Sequence, residues 1–148
     1  MVAVSAKGKV FTSGSNMYGA IDSEIRSNQN DTSDEPCEIT LPSGWLAKRC
    51  WACDLYTNIW VLAENGDEQK TFCLGNDYDM AGLGNGSGAP KWEKPIFPEG
   101  TYMTEIWSEG MVAFGLDQAG YMWEWGSHKV SNRDDMEPLW EICHVGAE

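Results

Sequence analysis

Gly-Tyr-Met-Trp-Glu-Trp-Gly, residues 120–126, is the stretch on which the reading of this chain turns. A glycine, alternating aromatic and polar residues and a second glycine predict a short strand held between two turns. The apolar run Met111–Leu116 ahead of it predicts the preceding strand of a hairpin. Working outward, the same phrase returns at Gly8-Lys-Val-Phe-Thr-Ser-Gly14, preceded by Val2-Ala-Val-Ser-Ala. It returns again from Gly66 to Thr71-Phe-Cys-Leu-Gly75, preceded by Ile59-Trp-Val-Leu-Ala. Three glycine-punctuated hairpins predict a repeat protein.

A second signature supports the repeat. Leu41-Pro-Ser-Gly-Trp45 and Phe97-Pro-Glu-Gly-Thr101 share an apolar-Pro-x-Gly unit, and Trp51 and Trp107 follow the two prolines at equal spacing. The punctuating glycines Gly8, Gly66 and Gly120 recur about 50–60 residues apart, a length that suits a propeller blade of several short strands. The copies run approximately 1–50, 51–107 and 108–148. The polar stretch Ser23–Glu35 has no apolar period and reads as a loop inserted in the first copy. Near the C-terminus, Trp140–Gly146 aligns with the segment ending at Gly110, and Gly8 aligns with Gly120. Under these alignments Glu148 meets Val112 and Met1 meets Ala113, so the two ends splice without a gap. The C-terminal segment is then expected to supply the strand that precedes Met1, with the last blade completed by the N-terminal strands of a neighbour.

Composition narrows the function classes. Eight Trp and 16 Gly in 148 residues fit short aromatic strands joined by tight turns. The net charge of −13 disfavours a nucleic-acid interface, which needs a basic face to displace counterions, and disfavours an anionic membrane surface. It suits a basic protein partner, although an acidic surface also serves simply to keep a protein in solution. No apolar run is long enough for a membrane-spanning helix, and five cysteines fit a reducing compartment. The expectation is a soluble, cytoplasmic chain. Asn30-Asp-Thr and Asn85-Gly-Ser match the glycosylation pattern, which matters only for a secreted chain.

The phrase as a whole resembles the regulator-of-chromosome-condensation repeat family. Val10–Gly19 carries the family's strand, Gly-x-Asn and closing glycine. Gly75-Asn76 through Gly86 carries the latter half of the phrase, and Tyr121–Ser127 the former half. Pro36, Pro95 and Pro138 stand where the family has its proline. The family's Cys-Gly-x-x-His is replaced by Ser108-Glu-Gly-Met-Val and by Asp54-Leu-Tyr-Thr-Asn. The resemblance implies an all-β propeller of about three four-stranded blades, part of a larger propeller or closed by an oligomer. Two chains joined head to tail would make a six-bladed ring. It also implies, as one alternative function, guanine-nucleotide exchange on a small GTPase.

The motifs that imitate chemistry read more simply as structure. Cys50-Trp-Ala-Cys53 lacks a second ligand pair, and residues three apart on a strand point to opposite faces, so no zinc or redox centre is expected. Asp77-x-Asp79-x-x-Gly82 lacks the later oxygen ligands of a calcium loop. Gly82–Gly88 lacks the Gly-Lys-Ser/Thr ending of a phosphate loop. His128 and His144 are expected to be structural. The chain is therefore read as no enzyme, with no cofactor and no metal.

What remains is binding. Trp51, Trp107 and Trp125 recur at fixed positions and are expected in the blade cores, whereas Trp45, Trp92 and Trp140 lie nearer loops and are candidates to face a ligand. Acidic residues gather ahead of two equivalent prolines: Asp31, Asp34 and Glu35 before Pro36, and Asp134, Asp135 and Glu137 before Pro138. In a propeller these groups share one face, and that face is the candidate partner surface. The expected function is a non-catalytic interaction or scaffold module. The alternatives are the exchange-factor role above and a carbohydrate-binding propeller lectin.

Overall fold

The computed structural model describes residues 1–15, 32–53, 58–74, 97–109, 112–126 and 140–144. They form ten strands: β1 (Val2–Val4), β2 (Val10–Ser15), β3 (Thr32–Ile39), β4 (Leu46–Cys53), β5 (Asn58–Asn65), β6 (Glu68–Leu74), β7 (Met103–Glu109), β8 (Val112–Asp117), β9 (Tyr121–Gly126) and β10 (Trp140–His144). The strands make three sheets, ordered β1-β2-β3, β4-β5-β6 and β10-β9-β8-β7, and every pairing is antiparallel. The described residues are thus all-β and form three similar small sheets. Among the described residues these sheets do not close into a ring.

The repeat is visible at the level of single hydrogen bonds. In the β1–β2 turn the Gly8 amide donates to the Ser5 carbonyl at 2.9 Å, and the Lys9 amide donates to Ser5 Oγ at 3.1 Å. In the β8–β9 turn the Gly120 amide donates to the Asp117 carbonyl at 3.2 Å, and the Tyr121 amide donates to Asp117 Oδ1 at 2.9 Å. A short polar side chain thus closes both turns on its own backbone, and both glycines sit at positive φ, 74° and 88°. The two Pro-x-Gly units also match. Trp45 N–H reaches the Pro42 carbonyl at 3.1 Å and Thr101 N–H the Pro98 carbonyl at 3.0 Å. Their glycines have φ of 87° and 79°, the third-residue geometry of a type II turn.

Packing follows from alternation. On β5, Ile59, Val61 and Ala63 point into a core shared with Val10, Ile39 and Leu41 of the first sheet and its exit. Trp60 points the other way, into a core with Met103, Ile106 and Ala113 of the third sheet. The second sheet is therefore covered on both faces, which is why β5 reads as an unbroken apolar run. Polar contacts tie the layers. The Ala47 amide donates to the Gly8 carbonyl at 2.9 Å, and the buried Met103 amide donates to Thr71 Oγ1 at 2.9 Å. Arg49 donates to the Thr104 carbonyl at 2.7 Å and to Glu105 Oε1 at 2.5 Å.

Three features depart from the sequence reading. Residues 32–35, expected in the inserted loop, begin β3. This is an edge strand, where one open side suits polar residues and a proline. The C-terminal segment, expected to precede Met1, pairs instead with β9, through Trp140↔Glu124 and His144↔Tyr121. Within one chain the edge of β9 is the nearer one in sequence, and closing the shorter loop costs less entropy. Among the described residues the first two sheets hold three strands and only the third holds four.

Candidate interaction surface

Asp34 and Glu35 are on the surface for a local reason. Thr12 pairs with Cys37 and Gly14 with Ser33, so Ser13 alone faces Asp34, Glu35 and Pro36 across the β2–β3 ladder. The extra residues bulge from the edge of the sheet, and all three are exposed. Proline fits there because a bulged residue owes no hydrogen bond to the ladder. The sequence placed the acidic pair in a loop. It sits on a strand, but the bulge displays it much as a loop would.

Trp45 is placed differently. Its ring meets Phe72 edge-on, with centroids 5.1 Å apart and planes at 74°, and packs against the first core. Lys70 Nζ lies 5.1 Å from the same ring, a cation–π contact. The ring is only partly buried, and the structure gives it two partners within its own chain. The acidic bulge lies near Gly14, whereas Trp45 packs with the cluster that holds Ile39 at the other end of β3. The two therefore mark separate regions. Trp140 takes part in β10 opposite Glu124. Asp31, Trp92, Asp134, Asp135 and Glu137 lie outside the described residues, as do the Asp77 and Gly82–Gly88 motifs.

The charge balance around these residues is legible in the ion pairs. Lys9 binds Glu38 at 2.8 Å, Lys48 binds Glu64 at 3.0 Å, Arg49 binds Glu105, and Lys70 binds Glu68. Each pair is at least partly exposed and adds little stability. Their effect is on the surface field: four cations are already matched by carboxylates, which leaves the acidic excess of the chain to the remaining groups.

Cys50 is half-buried against the first core, and burial pushes its thiol above the ordinary value. That disfavours the thiolate that zinc binding or disulfide exchange needs. The Cys37 thiol donates to the Glu35 carbonyl at 3.7 Å. Among the described residues no cluster of three or more His, Cys, Asp or Glu is arranged to hold a metal ion. An open recess between the β1–β2 turn and the start of β4 is lined by Val4, Lys7, Leu46, Lys48 and Glu64. Its Lys48–Glu64 pair is internally matched and points no convergent set of groups at a ligand.

Two sites escaped the sequence reading. Asp117, 4% exposed, accepts from the Ala119 and Tyr121 amides and, through Oδ2, from Trp123 Nε1 at 2.9 Å. It holds a turn and a tryptophan in place, and its equivalence to Ser5 was the available signal. Trp107, expected in a blade core, is instead 45% exposed, stacked on Phe114 with centroids 6.1 Å apart. Trp51, its equivalent, packs against the second core because the third sheet lies over it. Among the described residues the outer face of the third sheet has no such cover, so the same repeat position gives a different environment. Trp125 lies in β9, and its side chain is outside the described set. Compared with known proteins, the chain matches no family model and no curated protein.

Proposed function

We propose that the chain is a non-catalytic interaction module built from propeller-type repeats of the regulator-of-chromosome-condensation kind, and that it binds a basic protein partner through an acidic surface. One observation carries the reading: the Asp34–Glu35 bulge presents two exposed carboxylates beside a rigid sheet, in a chain of net charge −13 whose described cations are largely paired. Stacked sheets supply a stiff platform, and a platform needs no reacting group to act as a binding face. Carboxylates at the rim steer a basic partner into contact, a contribution that salt screens.

The test is binding to defined lysine- and arginine-rich polypeptides at low and high salt, with wild type beside the double variant Asp34→Asn, Glu35→Gln. The expected result is binding that weakens steeply with salt and falls several-fold in the variant. Binding indifferent to both salt and variant argues against the reading. Accelerated nucleotide release from a small GTPase, or a glycan-array signal with quenched tryptophan fluorescence, replaces it with exchange or with sugar recognition.

A further inference from the structure

The third sheet ends the stack with a face that the second sheet buries. In the second sheet Trp51 on β4 pairs with Trp60 on β5, and Leu62 follows on the same face. Trp60 is 1% exposed there, covered from the side of the third sheet, and Leu62 is 6% exposed. In the third sheet the equivalent pair is Trp107 on β7 with Phe114 on β8, followed by Leu116. Trp107 is 45% exposed, and Phe114 and Leu116 are partly so. At the same register positions an aromatic pair is thus packed against a neighbouring sheet in one case and partly open to solvent in the other.

The first sheet carries the matching half at the opposite end. What the third sheet lays toward Trp51 and Trp60 includes Trp123, paired with Gly115: a small residue on one strand beside an aromatic on the next. Aligning Gly8 with Gly120 places Ala3 at the position of Gly115 and Phe11 at the position of Trp123. Ala3 and Phe11 are likewise a register pair, between β1 and β2. Ala3 is exposed and Phe11 partly exposed, while Val2, Val4 and Val10 on the other face of that sheet take part in the first core. One end of the stack therefore shows the receiving face and the other shows the entering face of a contact the chain already makes once internally.

We propose that the outer face of the third sheet, centred on Trp107 and Phe114, is the seat for the first sheet of a second copy of this chain, docked through Ala3 and Phe11. The occupant follows from continuity with the internal interface between the second and third sheets, whose two halves the end faces repeat. Such a contact is heterologous: two different patches meet, so copies associate head to tail, and two or more close a ring if the rotation allows. The proposal rests on the reading of the chain as a run of propeller-type sheets.

The test is the mass of the full chain by sedimentation equilibrium, with Trp107→Glu and Phe11→Glu measured separately and then mixed. The wild type is expected to sediment as two or more chains of 16.4 kDa. Each variant is expected to weaken association about tenfold or more, since a buried unpaired carboxylate opposes docking at a central aromatic position. Mixing is expected to restore a species of about 33 kDa, because each variant keeps the patch the other has lost, as a head-to-tail contact requires. A wild type that is monomeric throughout, a Trp107→Glu chain whose mass is unchanged, or a mixture that stays monomeric overturns the proposal. Far-UV circular dichroism of the same samples separates two failures. A β-rich monomer removes the docking alone, whereas a spectrum without β structure removes the repeat reading beneath it.

Discussion

Gly8 shows how much one backbone position can carry. Its φ of +74° lies where side chains are rarely accommodated, and a Cβ placed there would stand 2.8 Å from Leu46 Cβ and 3.2 Å from Leu46 Cα. The turn lies directly against the start of β4, where its carbonyl receives the Ala47 amide. Gly66 shares the positive φ, +62°, but nothing stands within 4 Å of its missing Cβ. Gly66→Ala is therefore expected to cost about 1 kcal/mol from conformation alone, and Gly8→Ala about 1–3 kcal/mol because β4 must also shift. Urea midpoints of the two variants check this, and equal losses would remove the close-approach argument. The glycine spacing was plain in the sequence. The contact that makes one glycine stricter than another was not, because it joins turns from different sheets.

At the scale of elements, β5 and β3 are opposite cases. Ile59-Trp-Val-Leu-Ala63 announces a strand covered on both faces, and the structure puts a core on each side of it. Thr32–Ile39 announced a loop through its polar first half, because an edge strand with a bulge has few apolar obligations to write into its sequence. Trp107 departs from its expected core position for a related reason. Its repeat position is a core position wherever another sheet covers it, and a sequence repeat records the position but not the cover. Truncation measures the difference. Trp60→Ala is expected to cost about 3–5 kcal/mol by opening a cavity in the second core. Trp107→Ala, read in dilute solution, is expected to cost only about 1 kcal/mol, the worth of its stacking on Phe114. Comparable losses at both positions, followed by chemical denaturation, would mean that the outer face of the third sheet is covered within the chain itself.

At the scale of the molecule, the described residues place three sheets in series, and each boundary combines apolar interdigitation with one or two polar ties: Ala47 to Gly8 at the first, Thr71 to Met103 and Arg49 to Glu105 at the second. Repetition of this kind makes stability a sum of sheets and of their contacts, so protection from unfolding should be graded along the series rather than uniform. The acidic surface and the end faces are consequences of the same construction, since a rigid stack holds a bulge and an open face in fixed relation to its core. The most direct measurement of this central claim is native-state amide hydrogen exchange resolved by strand. The slowest exchange is expected at Ile59–Ala63 of β5, hydrogen-bonded to β4 and β6 and covered on both faces, with β1 and β3 at the edges of the first sheet exchanging much faster. Exchange at β5 as fast as at β1 or β3 would contradict it.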